Sequence, residues 1–229
     1  DMFHHASTRE NIGKLYQRQH HIIPSGTGEL ASGLTGEGRM AEPEEILNHV
    51  RRFFATSGRF INKKVLITAG PTRENIDPVR YISNYSSGKM GYALADAFAR
   101  EGAKVTLVSG PVHINTKHSN VDLILVNSAE EMCHACLQQH DSADVVVMAA
   151  AVADYRPAMT ATEKIKKSGD NMELALTATP DIALELGKRK KPNQLHVGFA
   201  LETENELDNA RSKKERKNFD MIVLNSLKT

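Results

Sequence analysis

The sequence predicts an α/β protein in three layers, with a mostly parallel sheet held between helices. Three observations predict it. From residue 63 onward, short apolar runs alternate with segments of helical period. The run Asp144–Ala150 is almost continuously apolar, as a strand covered on both faces requires. The first strand, Val65–Ala69, breaks at Gly70-Pro71 into a polar loop and ends at a helix beginning around Ser86-Ser87-Gly88. That order is Rossmann-like. It places backbone N–H groups and the positive end of a helix dipole where an anion can meet them. The loop holds about 16 residues, against roughly 2 to 6 for most such connections. It carries Thr72, Arg73, Asn75, Arg80 and Asn84, a polar set that reads as functional.

The elements follow in order. Residues 1–56 differ from the rest. Ser7-Thr8 caps a helix with Ile12, Leu15 and Tyr16 on one face. His21-Ile22-Ile23 reads as one short strand, and a glycine-rich run spans Ser25 to Gly38. Pro43 opens a helix over 44–54 with Ile46, Val50 and Phe53/Phe54 on one side. One strand and two helices enclose too little apolar surface for an independent core. Residues 55–62 read as a linker. Beyond it, a helix over 87–101 has Met90, Leu94 and Ala97/Phe98 at helical spacing and stops at Gly102. Strands at Val105–Ser109 and Val121–Val126 come next. Ser128-Ala129-Glu130-Glu131 is a capping box for a helix over 129–139. After the 144–150 strand, a loop over 151–169 leads to Met172–Thr177, an alternating strand suited to an edge. Thr179-Pro180-Asp181 starts a helix with Pro180 in its first position. Strand Leu195–Ala200, a helix over 205–217 and strand Met221–Asn225 complete the series.

Composition narrows the function classes. The chain has 229 residues, 40% hydrophobic and 25% charged, with net charge +1, so no global field favours nucleic acid or a membrane surface. No apolar run reaches the length of a membrane span and no secretory signal is visible, so a cytoplasmic location is expected. Two cysteines make no disulfide framework. Cys133 and Cys136 fall inside a predicted helix without a second ligand pair, and the histidines show no ligand spacing. Lys89 is followed by Met90, so the phosphate-loop pattern is not met. No G-x-G-x-x-G follows the first strand, which counts against a nicotinamide-dependent reductase.

Right-handed crossovers carry every loop that follows a strand to one edge of the sheet. That edge gathers Asn84, the run Ala151–Pro157 with Asp154, Glu163-Lys164-Ile165-Lys166-Lys167, the Pro180-Asp181-Ile182 turn, and Phe199. Lys213 and Lys217 are four apart and share one face of their helix. Basic groups beside a helix N-terminus suit a polyphosphate, and Asp154 suits a ribose hydroxyl or a metal. Spacing supports a phosphate-containing ligand and selects no reaction.

The runs ITAGPTRENIDPVRYISNYSSGKMG, AAVADYRP, EKIKK, TPDIA, GFALET and KNFDMIVLN resemble, in sequence and order, the bacterial phosphopantothenate–cysteine ligase (phosphopantothenoylcysteine synthetase) family. The resemblance covers roughly residues 62–229. Through GELASGLTGEGRMAEPEEI, residues 1–56 resemble the C-terminal end of the flavin-binding decarboxylase half of the bifunctional coenzyme A biosynthesis protein. The resemblance implies CTP-dependent, ATP-independent joining of 4'-phosphopantothenate to L-cysteine, through an acyl-cytidylate, with release of CMP and pyrophosphate. It implies Mg²⁺, with ligands not assigned, and a homodimer whose sites are completed across subunits. Higher oligomers are implied when a full decarboxylase domain is present. Asn84 aligns with the residue needed for attack by cysteine, and Lys164 with the lysine needed for acyl-cytidylate formation. The backbone at Met148, Ala149 and Ala150, then Asp154, Pro180, Asp181, Ile182, Ala183, Phe199, Lys213 and Lys217, align with CTP-contacting positions. FMN belongs to the front of the decarboxylase half, which this chain lacks. Ser32 stands where that half commonly has a cysteine, so decarboxylation is not expected of this chain. The family also continues past the Leu224-Asn225 strand, so the ligase domain is expected to be C-terminally incomplete. The competing readings are the reductase, a non-catalytic assembly module, and ATP in place of CTP.

Overall fold

The glycine-rich run folds back on itself in the computed structural model of the chain. Strand β1 (Gly26–Glu29) pairs antiparallel with β2 (Thr35–Arg39). The structure describes residues 3–18, 20–29, 33, 35–55, 58–116, 118–167, 169 and 171–226, with the backbone alone for Arg52, Phe54 and Ala55. Ser32 and part of the expected linker lie outside the described residues. The chain divides into two units, Asp1–Thr56 and Ser57–Thr229.

The first unit corrects the expected strand at His21–Ile23. Those residues pair with no strand among the described residues, and the His21 ring instead meets the Phe53 ring edge-on at 4.5 Å. Helix α1 (Ala6–Gln17) starts earlier than expected. Its cap is His5, whose ring Nδ1 accepts from the Ser7 N–H at 3.3 Å, so Ser7 and Thr8 lie within the first turn. Helix α2 (Pro43–Ala55) opens at Pro43, with Glu44 and Glu45 at the positive end of its dipole.

In the second unit the elements are β3 (Lys64–Ala69), β4 (Arg73–Asn75), β5 (Tyr81–Ser83), α3 (Lys89–Arg100), β6 (Lys104–Ser109), β7 (Val121–Leu125), α4 (Ala129–His140) and β8 (Val145–Met148). Then come β9 (Tyr155–Pro157), β10 (Leu176–Ala178), α5 (Ile182–Lys188), β11 (Leu195–Glu202), α6 (Glu206–Arg216) and β12 (Met221–Ser226). Six strands form one parallel sheet in the order β7-β6-β3-β8-β11-β12. Strand alternation sets the layers. Val65, Ile67 and Ala69 of β3 pack with Tyr92, Ala95 and Ala99 of α3. Leu66, on the opposite face, packs with Met132 and Cys136 of α4 and Leu186 of α5. The result is a Rossmann-like three-layer α/β fold. The chain works outward from β3 on one side and then returns to β8 on the other. The crevice beyond the carboxyl ends of β3 and β8 is where such sheets bind ligands.

Four further expectations change. Met172–Thr177 is not an edge of this sheet, because only Leu176–Ala178 pairs, antiparallel to β9, in a separate ribbon. The long loop after β3 contains its own antiparallel pair, β4 with β5. Met90 is half exposed, and α3 buries Gly91, Tyr92, Ala95 and Ala99 instead. Pro180 precedes α5 rather than opening it, since Asp181 is the cap.

Small residues bring α3 close to the sheet. A Cβ on Gly91 would lie 2.5 Å from the Ala69 Cβ. Gly91→Val is therefore expected to destabilise this unit by about 2 kcal/mol through overpacking, read as a lower urea midpoint. At the other end of the sheet, His196 and His140 face each other through their Nε2 atoms at 3.3 Å, both fully buried. Burial first, then His140 and Lys190, push the His196 imidazole down from 6.5 to about 4, with Asp220 opposing. The unfolded chain thus takes up a proton here at a higher pH than the folded one. This contribution to stability is whole above pH 6.5 and is lost as pH falls from 6.5 towards 4. Urea midpoints measured across that interval are expected to fall, and to fall less steeply in His196→Leu.

Candidate nucleotide-binding crevice

The crevice starts as a problem of backbone satisfaction. Loops leaving parallel strands carry amide and carbonyl groups that the sheet no longer pairs. Here the loops after β3 and β8 pair with each other. Pro71 and Ala151 form an isolated parallel bridge, and the Ala151 N–H donates to the Gly70 carbonyl at 2.9 Å. Two buried threonine hydroxyls do the rest. Thr68 Oγ1 accepts from the Ala150 N–H at 3.2 Å and Thr72 Oγ1 from the Ala153 N–H at 3.0 Å. Asn84, at the end of the β5 arm, donates from Nδ2 to the Val152 carbonyl at 2.9 Å. The Thr179 N–H donates to the Asp154 carbonyl at 2.9 Å, joining the β10–α5 turn to the same loop.

These contacts frame a cavity of about 430 Å³. Met148, Ala150 and Asp154 line it from the β8 side. Pro180, Asp181, Ile182 and Ala183 line it from the α5 side, and Phe199, Lys213 and Lys217 from β11 and α6. Ala149 is not among the lining residues, and the Ala150 amide hydrogen is already taken by Thr68. Asn84 lines a second cavity of about 510 Å³, with Arg73, Ser86, Ser87, Lys89 and His113. Its bond to Val152, which lines the first cavity, joins the two. Lys164 lines neither and is exposed. Its neighbour Ile165 is held by Asp77 and Arg80.

The cavity is mixed in charge. Lys213 is pushed below its ordinary value, chiefly by burial and then by Lys217, with Glu202, Asp154 and Asp181 opposing. Lys217 Nζ lies 3.1 Å from Asp181 Oδ1. The same carboxylate oxygen accepts from the Leu184 N–H at 3.1 Å. The end of α5, read from sequence as an anion site, is therefore already capped by its own carboxylate, and the cationic character comes from α6. Among the described residues, no group of three or more His, Cys, Asp or Glu is placed to hold a metal ion. A divalent ion in the cavity meets only the separate carboxylates Asp154 and Asp181 there. Cys133 and Cys136 are buried and free. Burial pushes both thiols up, Cys136 to about 12, so they act as core side chains. No helix among the described residues is long and apolar enough to cross a membrane.

A family model described as the DNA/pantothenate metabolism flavoprotein C-terminal domain matches residues 60–229, the stretch that builds this crevice. The chain belongs to this family. A relative named cysteine/cysteine sulfinic acid decarboxylase, from an unknown prokaryotic organism, is 55% identical over 232 residues. That match covers 100% of this chain and 65% of the relative. The coenzyme A biosynthesis bifunctional protein CoaBC of Haemophilus influenzae is 48% identical over 226 residues, covering 99% of this chain and 56% of the relative. This chain thus spans well under the full length of either relative. Among solved structures, the C-terminal domain of a coenzyme A biosynthesis bifunctional protein CoaBC is 45% identical with a TM-score of 0.63. That similarity covers 72% of this chain and 77% of the other.

Thr72 belongs to the polar set read from the loop after β3 and Thr179 to the turn before α5, but what either hydroxyl bonds, like the role of Thr68, escapes a motif reading. Thr68 is a lone hydroxyl in an apolar strand, and Thr72 and Thr179 adjoin prolines. Their polarity is visible, but the atoms that they satisfy lie up to 82 residues away. Phe219 and Tyr155 also line the cavity, and only the folded arrangement brings them to it. Thr72→Val keeps the side-chain shape and strands the buried Ala153 N–H. It is expected to cost about 1–3 kcal/mol, read by denaturant unfolding, while Thr160→Val, at an exposed hydroxyl, is expected to cost less.

Proposed function

We propose that the 430 Å³ cavity binds CTP and that this chain, with Mg²⁺, ligates 4'-phosphopantothenate to L-cysteine. One observation carries the reading. A cavity at the switch point of the sheet, bearing two lysines and three aromatic rings, is joined by the Asn84 hydrogen bond to a second cavity large enough for another substrate. The names of the CoaBC relatives and of the 45% identical structure support it.

A carboxylate is a poor electrophile at neutral pH. In the first step the acid's oxygen attacks the α-phosphorus of CTP, the α–β phosphoanhydride breaks, and pyrophosphate leaves. In the second, the cysteine amine attacks the activated acyl carbon. CMP departs, a proton is lost, and an amide remains. Lys213 and Lys217 are assigned to the phosphates, Phe199 to the base, and Lys164 to charge developing on the phosphoryl group. The Asn84 amide carries two N–H bonds. One orients it on Val152, and the other is assigned to the acyl oxyanion. Mg²⁺, when bound, neutralises phosphate charge. Asp181 already faces Lys217, so Asp154 is the carboxylate assigned to the ion or to the ribose. A homodimer is part of this reading. Tyr81, Tyr85, Tyr155 and Met159, all exposed on the arms around the cavities, are assigned to the face that a second copy covers.

The test is pyrophosphate release with Mg²⁺, CTP and 4'-phosphopantothenate, with and without cysteine. Pyrophosphate is expected from both the wild type and Asn84→Asp, with amide from the wild type alone. ATP is expected to replace CTP poorly. Lys213→Ala is expected to weaken CTP binding about tenfold, and more at low ionic strength. No CTP binding by the wild type refutes the reading. The decarboxylase name of the 55% identical relative supplies a second reading. Release of CO₂ from cysteine or cysteine sulfinic acid, without CTP, would favour it.

A further inference from the structure

The carboxylate of Asp77 is 1% exposed and surrounded by donors from two distant parts of the chain. Its Oδ1 accepts from the Val79 and Arg80 N–H groups, both at 2.8 Å, which closes the turn between β4 and β5. Its Oδ2 accepts from Arg80 Nε at 2.9 Å, from Arg80 Nη2, and from the Ile165 N–H at 3.1 Å. Arg80 Nη2 also donates to the Ile165 carbonyl at 2.8 Å. One ion pair therefore holds both polar backbone groups of a residue 88 positions from Asp77. The strap leading there is tied to the same arm. Thr160 Oγ1 donates to the Asn75 carbonyl at 3.1 Å, and the Ala161 N–H to the Ile76 carbonyl at 3.0 Å.

A turn needs only the Oδ1 contacts. The Oδ2 contacts serve the strap, and Lys164 is the residue beside the one that they grip. A lysine on an untethered loop loses much conformational freedom each time it must meet a phosphate. Fixing the backbone beside it in advance removes part of that cost. Arg80 first, with burial opposing and the backbone donors of Val79, Arg80 and Ile165 assisting, holds the Asp77 carboxyl well below the usual carboxylate range, so the grip persists into acid where an ordinary carboxylate protonates.

We propose that Asp77 is a positioning residue, which clasps Ile165 through its buried carboxylate and so fixes the backbone from which Lys164, standing outside both cavities, reaches towards the nucleotide. The proposal rests on the ligase reading above and deepens it. It separates Asp77, which acts through the strap, from Lys164, which acts on the substrate.

The test is a double-mutant cycle on the full chain, read by CTP-dependent pyrophosphate release. Asp77→Asn keeps the shape of the side chain and loses an acceptor for Ile165. It is expected to lower kcat/KM at least about tenfold, and to speed hydrogen exchange across residues 160–167. In a Lys164→Gln background, read on its slow residual pyrophosphate release at raised enzyme concentration, the same change is expected to cost under about twofold, because the lysine to be positioned is already gone. If Asp77→Asn does not fold, Ile165→Pro removes the gripped N–H and leaves the buried turn intact. It is expected to show the same loss and the same dependence on Lys164. Losses that multiply, or unchanged exchange at the strap in an active protein, overturn the clasp. A wild type that neither binds CTP nor releases pyrophosphate overturns the ligase reading instead, while the exchange measurement still reports whether the clasp holds.

Discussion

Everything at the ligand edge depends on how the loops after β3 and β8 satisfy each other's backbone. A parallel sheet ends abruptly, and its last amides and carbonyls need partners other than strands. Thr68 and Thr72 supply two acceptors from within the fold, and the Gly70–Ala151 hydrogen bond supplies a third pairing. Because both hydroxyls are buried, no water is at hand to replace them. These bonds tie the floor of the crevice to the end of the sheet.

Close approach makes this zipper possible. Gly70 has φ 73°, a left-handed conformation that lets the chain leave β3 and turn over the sheet. Gly91 lets α3 lie against Ala69. The helix therefore starts beside the end of β3, and the β4–β5 arm must rise above the edge before it can return. That arm carries Asn84 to Val152 on one side and Asp77 to Ile165 on the other. A loop that looks long for its fold is thus two short strands, paired with each other, with a tight turn between them.

The charge pattern follows the same logic of prior occupation. Asp181 caps α5 and faces Lys217, so the helix end does not offer its amides to an incoming phosphate in the simplest way. Lys213 is partly buried beside a second lysine, and its cost is offset by three acids around it. A polyanion entering there would replace those acids as the partner of two cations held in place.

The sequence by itself determined the alternation of strands and helices, since apolar period and capping residues are local properties. Ser128 Oγ accepts from the Glu131 N–H and caps α4, while the Glu131 carboxylate reaches one residue past the cap to accept from the Asn127 N–H, a variant of the expected capping box. It also determined which segments gather at one edge, because right-handed crossovers leave a parallel sheet no other choice. Hence Asp154, Phe199, Lys213 and Lys217 were legible as neighbours. Tertiary structure alone decided which of those neighbours face the same space. Lys164 shares the edge with the others but stands on a strap outside both cavities, and Ala149 adjoins two lining residues without lining the cavity itself. Met172–Thr177 carries a strand pattern, yet only its end finds a partner, in β9 rather than the main sheet. Local pattern fixes what a segment is able to bury. Its partner is set by which distant backbone groups remain unsatisfied once the sheet has closed, and that is a property of the whole fold.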